Sequence, residues 1–250
     1  GGGMIRRKFL GVLGSAAAWP LAASAQQAAI PRIGFVSLGA LGGTDVSLAG
    51  LRQGLVDRGY EIGRNLILDD RYGGGNLDQV SALIAELLEH NVDVLVTVGT
   101  QVSRAAQRAT TKVPIVCISG DPVGTKLVAS LSSPGGNITG MSLLSGDYSA
   151  KWLAFLKEAA PKLRRVGVLQ NPGNPVTAIE IENVKQAAPD LGLEVAVLPA
   201  GPTELEATLT ALQGGSVDGF VVTDDAFFEG ALPRLVALAA QKRLPALYGF

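Results

Sequence analysis

Two adjacent carboxylates, Asp224 and Asp225, follow the apolar run Gly219-Phe220-Val221-Val222, and a third, Asp121, stands before Pro122 just after Ile115-Val116-Cys117-Ile118. A carboxylate at the end of a strand can pair with an ammonium group in a cleft of lowered dielectric; Asp-Pro can equally start a turn. Paired carboxylates also permit general acid–base chemistry or a divalent-cation site, but no second ligand cluster accompanies these two. Gly99-Thr100-Gln101 follows the apolar run at 92–98 and precedes a helical pattern. Free N–H groups and the helix dipole at such a turn suit a carboxylate, and the Thr100 hydroxyl can add one bond or act as a helix cap. Asn171 and Asn174 offer amide groups, although Asn174 before Pro175 is also a sufficient helix start. Phe227 and Phe228 point in different directions on a helix, so Phe227 can stack on an aromatic or apolar ligand while its neighbour is core. Ser37, Thr139 and Met141 also end strands, and the last two suit either a hinge or a cleft wall.

Other chemistries are disfavoured by what is scarce. One cysteine, Cys117, excludes an internal disulfide and a thiolate-cage zinc site, and one histidine, His90, removes most histidine-dependent triads and metal clusters. Cys117 lies within an apolar strand and reads as a small buried hydrophobe; His90 ends an amphipathic helix and reads as a surface residue. Lys and Arg number 21 against 22 Asp and Glu, which supplies no basic surface for nucleic acid. At 47% hydrophobic and 17% charged, the 250 residues describe a globular chain.

The elements that position these residues alternate in type. Apolar β-rich runs at 33–36, 66–68, 92–98, 115–118 and 137–141 form one series, and runs at 166–169, 193–197, 219–222 and 246–248 form a second, with amphipathic stretches between them. Strands separated by helices imply parallel sheets. The fold expected is therefore α/β, with two doubly wound parallel-sheet lobes at 30–143 and 163–250 and a crossover helix at 144–162. Asn76 with Gln79 and Thr203 with Glu206 have the spacing of capping boxes. Trp152, Phe155, Leu156 and Ala159 are placed on one face of the crossover helix, which Ala160-Pro161 ends. In open sheets of this kind ligands bind beyond the carboxyl ends of the strands, where the residues above fall. The second series stops after its fourth strand, so a closing segment and poor stability of residues 26–250 alone are expected.

At the amino terminus, Arg6-Arg7-Lys8, an apolar stretch at 9–21 and Ala23-Ser24-Ala25 have the layout of an export signal. The stretch falls short of the roughly 20 apolar residues of a membrane span. Arg6-Arg7-Lys8-Phe9-Leu10 resembles the twin-arginine (Tat) pattern, and two arginines also serve a Sec signal. Either route predicts the periplasm, without a lipid anchor, since no cysteine is near the cleavage point. Gly1-Gly2-Gly3 reads as a remnant before the natural start at Met4. Removal of residues 1–25 leaves 18 basic against 22 acidic residues.

Asp121-Pro122-Val123, Leu127-Val128-Ala129-Ser130-Leu131, Pro134-Gly135-Gly136-Asn137-Ile138-Thr139-Gly140 and Asn171-Pro172-Gly173-Asn174 together resemble the ABC-transporter substrate-binding family that includes tryptophan and tyrosine receptors. The resemblance covers residues 32–250. It implies the type I periplasmic binding-protein fold, no cofactor, a monomer, and a small molecule (an amino acid or related carboxylate) held between the lobes and delivered to a membrane permease. No ATP hydrolysis is expected, because Gly135-Gly136 is followed by Asn137 without the lysine of a phosphate loop. Two other classes remain open: a sensory binding protein serving a membrane kinase or chemoreceptor, and a flavodoxin-like enzyme acting through Asp224 or Asp225. A two-cysteine racemase is excluded by the single Cys117.

Overall fold

The computed structural model describes residues 30–39 and 46–250; the export-signal reading and residues 40–45 lie outside them. Nine strands form two all-parallel sheets among these residues. The first contains β1 (Arg32–Ser37), β2 (Ile67–Tyr72), β3 (Val94–Val98), β4 (Ile115–Ser119) and β5 (Ile138–Ser142), in the order β2-β1-β3-β4-β5. The second contains β6 (Arg165–Gln170), β7 (Glu194–Pro199), β8 (Gly219–Val222) and β9 (Ala246–Tyr248), in the order β7-β6-β8-β9. Each order reverses direction after its first strand, the mark of a doubly wound sheet.

Helices cover both faces because strands buried on two sides leave apolar groups pointing each way. In the first lobe, α1 (Val46–Val56) lies over Phe35, Leu68 and Val96, while α2 (Leu77–Glu89) and α3 (Thr100–Ala109) pack with Val36, Leu95, Ile115 and Cys117 on the other face. In the second lobe, α4 (Ser145–Ala159) and α5 (Pro175–Ala187) cover Val166, Val168 and Val221; α6 (Leu205–Gln213) and α7 (Ala226–Lys242) cover Leu169, Phe220 and Val222. The alternation of Phe220, Val221 and Val222 between the two faces is the period-two direction of a strand. All three are fully buried, each contributing about 1.5–3 kcal/mol by removal from water.

Local signals set most of the boundaries. Asn76 caps α2, its Oδ1 accepting from the N–H groups of Asp78 (2.9 Å) and Gln79 (3.2 Å). Asn174 caps α5 ahead of Pro175. Thr203 does not cap α6: that helix starts at Leu205 after Glu204, in helical conformation and without a side-chain cap bond. Phe155 and Ala159 also depart from expectation. The buried stripe of α4 runs through Ser149, Trp152, Leu153 and Leu156, and leaves Phe155 57% exposed. At a 3.6-residue period 149, 152, 153 and 156 share one face and Phe155 falls outside it, whereas Ala159 projects beside Trp152 and is exposed at the last residue of the helix. The chain passes from one lobe to the other through Leu143 and Leu144, the latter in left-handed conformation at φ 54°. No helix of the described residues is long and apolar enough to cross a membrane.

Candidate functional site between the lobes

The strand orders locate two crevices. Chain direction reverses between β1 and β3 in the first sheet and between β6 and β8 in the second, so the loops after these strands part and leave space. The two crevices share a cavity of about 400 Å³, lined by Leu38, Gly75, Leu77 and Gln101 from the first lobe and by Asn171, Pro172, Gly173, Gly201, Thr203 and Phe227 from the second. The walls are close. A methyl group placed on Gly173 would lie 3.2 Å from Gln101 Nε2, and one on Gly75 would lie 3.9 Å from the Phe227 ring.

Gly99 sets up the first-lobe side. Its φ of 97° lets β3 turn directly into α3, a conformation open to glycine at little cost. Helix α3 therefore begins at the strand end, and the N–H groups of its first turn have no acceptor within the helix. Thr100 is 2% exposed, its hydroxyl 2.9 Å from Ser119 Oγ, so it ties β4 to α3 and does not cap the helix. Gln101, 8% exposed, is the side chain this turn presents to the cavity.

The second-lobe wall is organised by Asp225. Its carboxylate accepts from Asn171 Nδ2 (3.0 Å), Asn174 Nδ2 (2.8 Å) and the N–H of Phe227 (2.7 Å), so one buried group caps α7 and joins the loops after β6 and β8. Burial pushes its carboxyl above the usual range, opposed by the N–H of Phe227 and the two amides. Phe228 is fully buried, while Phe227 faces the cavity, with ring centroids 5.5 Å apart.

Asp224 faces a different space. With Ser145, Trp152 and Tyr248 it lines a cavity of about 510 Å³ between α4 and β9, and its Oδ2 accepts from the Ser145 hydroxyl. Behind it stands Glu180, fully buried, with Oε2 accepting from the Asp224 N–H at 3.3 Å and Oε1 without a hydrogen-bond partner among the described residues. Burial, and then the Asp224 charge, push the Glu180 carboxyl up to about 9 from an ordinary 4.5; burial also raises Asp224, against the pull of Ser145. The folded protein therefore keeps a proton that the unfolded chain releases above its ordinary value. Stability due to this group is greatest below about pH 4.5 and falls as pH rises toward 9, by at most about 1.4 kcal/mol per pH unit. Urea unfolding at pH 5, 7 and 9 is expected to show this decline, and Glu180→Gln is expected to flatten it.

Sequence comparison fits this geometry. A family model for ABC transporter substrate binding proteins matches residues 35–249. The chain belongs to that family. A tyrosine-binding protein of Clostridioides difficile is 26% identical over 205 residues, covering 80% of this chain and 58% of that protein, so the chain spans a little over half the length of this curated relative. Among solved structures, a conserved domain protein of Vibrio cholerae is 28% identical with a TM-score of 0.80, over 88% of this chain and 74% of the other. The ABC domain of Streptococcus pneumoniae in complex with L-Trp shares the fold at 23% identity and a TM-score of 0.78, over 87% and 73% of the two chains. The two-lobed architecture is that of the type I periplasmic binding proteins.

Within a substrate-binding protein of this kind, the residues expected at strand ends separate into groups. Gln101, Asn171 and Phe227 line the interlobe cavity, and Asn174 and Asp225 hold its second-lobe wall. Ser37 Oγ accepts from the N–H of Gly39 at 3.3 Å, within its own turn. Asp121 Oδ1 accepts from the N–H of Gly124 at 2.7 Å, and the Pro122 carbonyl accepts from Leu127 and Val128, so this pair forms a closed turn. Thr139 and Met141 are not cleft walls. Both are exposed on edge strand β5, and Met141, 63% exposed, borders a cavity beside α1 with Val116 and Ile118. Met141 faces α1 across this cavity. Sequence reasoning missed Ser145 and Glu180. Only Glu180 left a signal: it stands four residues from both Val176 and Val184, on the buried stripe of α5.

Proposed function

We propose that the chain is the solute-binding component of an ABC importer, exported to the periplasm, where it holds an amino acid or related aromatic carboxylate between its lobes and presents it to a membrane permease. The cavity between Gln101 and Phe227 carries this reading, since both lobes contribute to it at their switch points. Tyrosine and L-Trp, the ligands of two similar proteins, favour the same class. In this reading the first turn of α3 receives the carboxylate through its free N–H groups, Gln101 donates its amide, and Phe227 supports an apolar or aromatic side chain. Asp224 offers a further carboxylate to an ammonium group in the separate cavity between α4 and β9. A ligand touching both walls favours the closed arrangement by its differential contact with the two lobes, and the permease reads that arrangement.

A thermal-shift screen of the purified protein against the twenty amino acids, benzoate and hydroxybenzoates tests the reading. A ligand at one hundred times its Kd stabilises by about 2.7 kcal/mol, an easily measured rise in Tm. We expect a rise with tyrosine, tryptophan or an aromatic carboxylate, and at least tenfold weaker binding by Gln101→Ala. No shift with any of these compounds would overturn the proposal.

A further inference from the structure

Glu180 is an unusual residue to find at this position. It is fully buried, yet among the described residues one oxygen has no hydrogen-bond partner and the other takes a single long bond from the Asp224 N–H. A buried carboxylate left this poorly satisfied is costly, whereas a neutral carboxyl beside a second carboxylate is not. Lys151, Tyr148, Glu229 and Tyr248 line the cavity that Asp224 faces. Asp224 and Asp225 act on Glu180 from the turn between β8 and α7, and no lysine or arginine among the described residues does. The first buried residues of helix α4 are Ser145, Gly146 and Ser149, all uncharged, while its Lys151 lines the Asp224 cavity; Asn183 of α5 spends its amide on the Gly146 carbonyl; β6 and β7 contribute valines to the core under α4 and α5. Asp225 is already satisfied as an anion by three donors. The unsettled charge therefore belongs to Glu180 and Asp224.

Asp224 also joins the lobes. It accepts from Ser145, whose backbone N–H donates to the Gly120 carbonyl of the first lobe at 3.1 Å. A change of charge at Glu180 is thus felt one residue away at the contact between the lobes.

We propose that Glu180 holds a proton in the free protein, so that it and Asp224 together carry one negative charge, and that a cationic group bound at Asp224 displaces this proton. The exchange rests on the reading of Asp224 given above. The ligand's N–H groups form hydrogen bonds to the Asp224 carboxylate, the Glu180 O–H bond breaks, and its proton leaves to solvent. Glu180 acts through Asp224 and is a positioning residue. A nearby positive charge favours the ionised carboxyl, so binding strengthens as pH rises from 6 to 8, by up to tenfold per pH unit.

The proton is observed directly by following the side-chain carboxyl carbons of ¹³C-labelled protein by NMR as pH is raised, with Glu180→Gln assigning the resonance. One glutamate is expected to titrate several pH units above the others; if every glutamate titrates in the ordinary range, the proposal is wrong. Exchange is then tested with methylammonium chloride against potassium chloride at equal ionic strength. A downward shift of the Glu180 midpoint with methylammonium alone is expected, and an unchanged midpoint overturns the exchange. Calorimetry with L-tryptophan and L-tyrosine in buffers of different ionisation enthalpy completes the test. Proton release by the wild type, absent in Glu180→Gln, is expected, and buffer-independent heat from the wild type overturns the exchange. Absence of any heat defeats the amino-acid reading and leaves the two NMR results to decide the role of Glu180.

Discussion

Asp225→Ala is expected to lower the free energy of unfolding by about 3–5 kcal/mol and to abolish cleft binding. The effect is large because one buried carboxylate serves three donors at once. Its loss leaves the Asn171 and Asn174 amides without their acceptor, at about 1–3 kcal/mol for each buried group, and removes the cap of α7, worth about 1 kcal/mol. Neither asparagine can turn away freely. Asn171 Oδ1 accepts from the N–H of Gly173 and Asn174 Oδ1 from that of Val176, so each amide is held at its other end. Asp225→Asn separates charge from geometry: it keeps an acceptor for Phe227 but points an amide at two other amides, and an intermediate loss is expected. Urea unfolding of both variants at pH 7 measures the difference. A loss below 1 kcal/mol for Asp225→Ala would show that the network does not hold the two loops together.

Gly140→Ala is expected to cost about 4 kcal/mol or more, because no side chain fits there. Gly140 pairs with Cys117 across the β4–β5 ladder at a φ of 150°, and a methyl group on it would fall 1.9 Å from the Cys117 carbonyl oxygen and 2.6 Å from its nitrogen. Backbone cannot yield as a flexible side chain does, so the two strands must separate. The consequence reaches the cleft. Strand β5 leads within two residues to Leu144 and the start of α4, and the Leu143 N–H donates to the Ser119 carbonyl. Ser119 in turn holds Thr100 at the start of α3. The variant is expected to lose cooperativity in thermal unfolding as well as stability. A melt indistinguishable from wild type would show that β5 is free to move away from β4.

What the sequence determined by itself was local and repetitive. The alternation of apolar strand runs with amphipathic helices specified two parallel sheets, their strand membership and the crossing between them, because period two and period 3.6 are properties of short windows. Caps written into one turn, as at Asn76 and Asn174, were legible for the same reason. Thr203 misled because a capping-box spacing permits a helix start without requiring one; the chain began α6 two residues later. The site was legible only as a set of strand ends. Which of these face the cleft depended on strand order and on side-chain direction, and neither is contained in any window of sequence. Tertiary structure left Thr139 exposed on the edge strand, turned Met141 toward α1, closed Ser37 and Asp121 on their own turns, and set Gln101 opposite Phe227. It alone brought Glu180 and Asp224, 44 residues apart, into contact. A buried carboxyl has its meaning from what packs around it, and packing is assembled from residues distant in the chain.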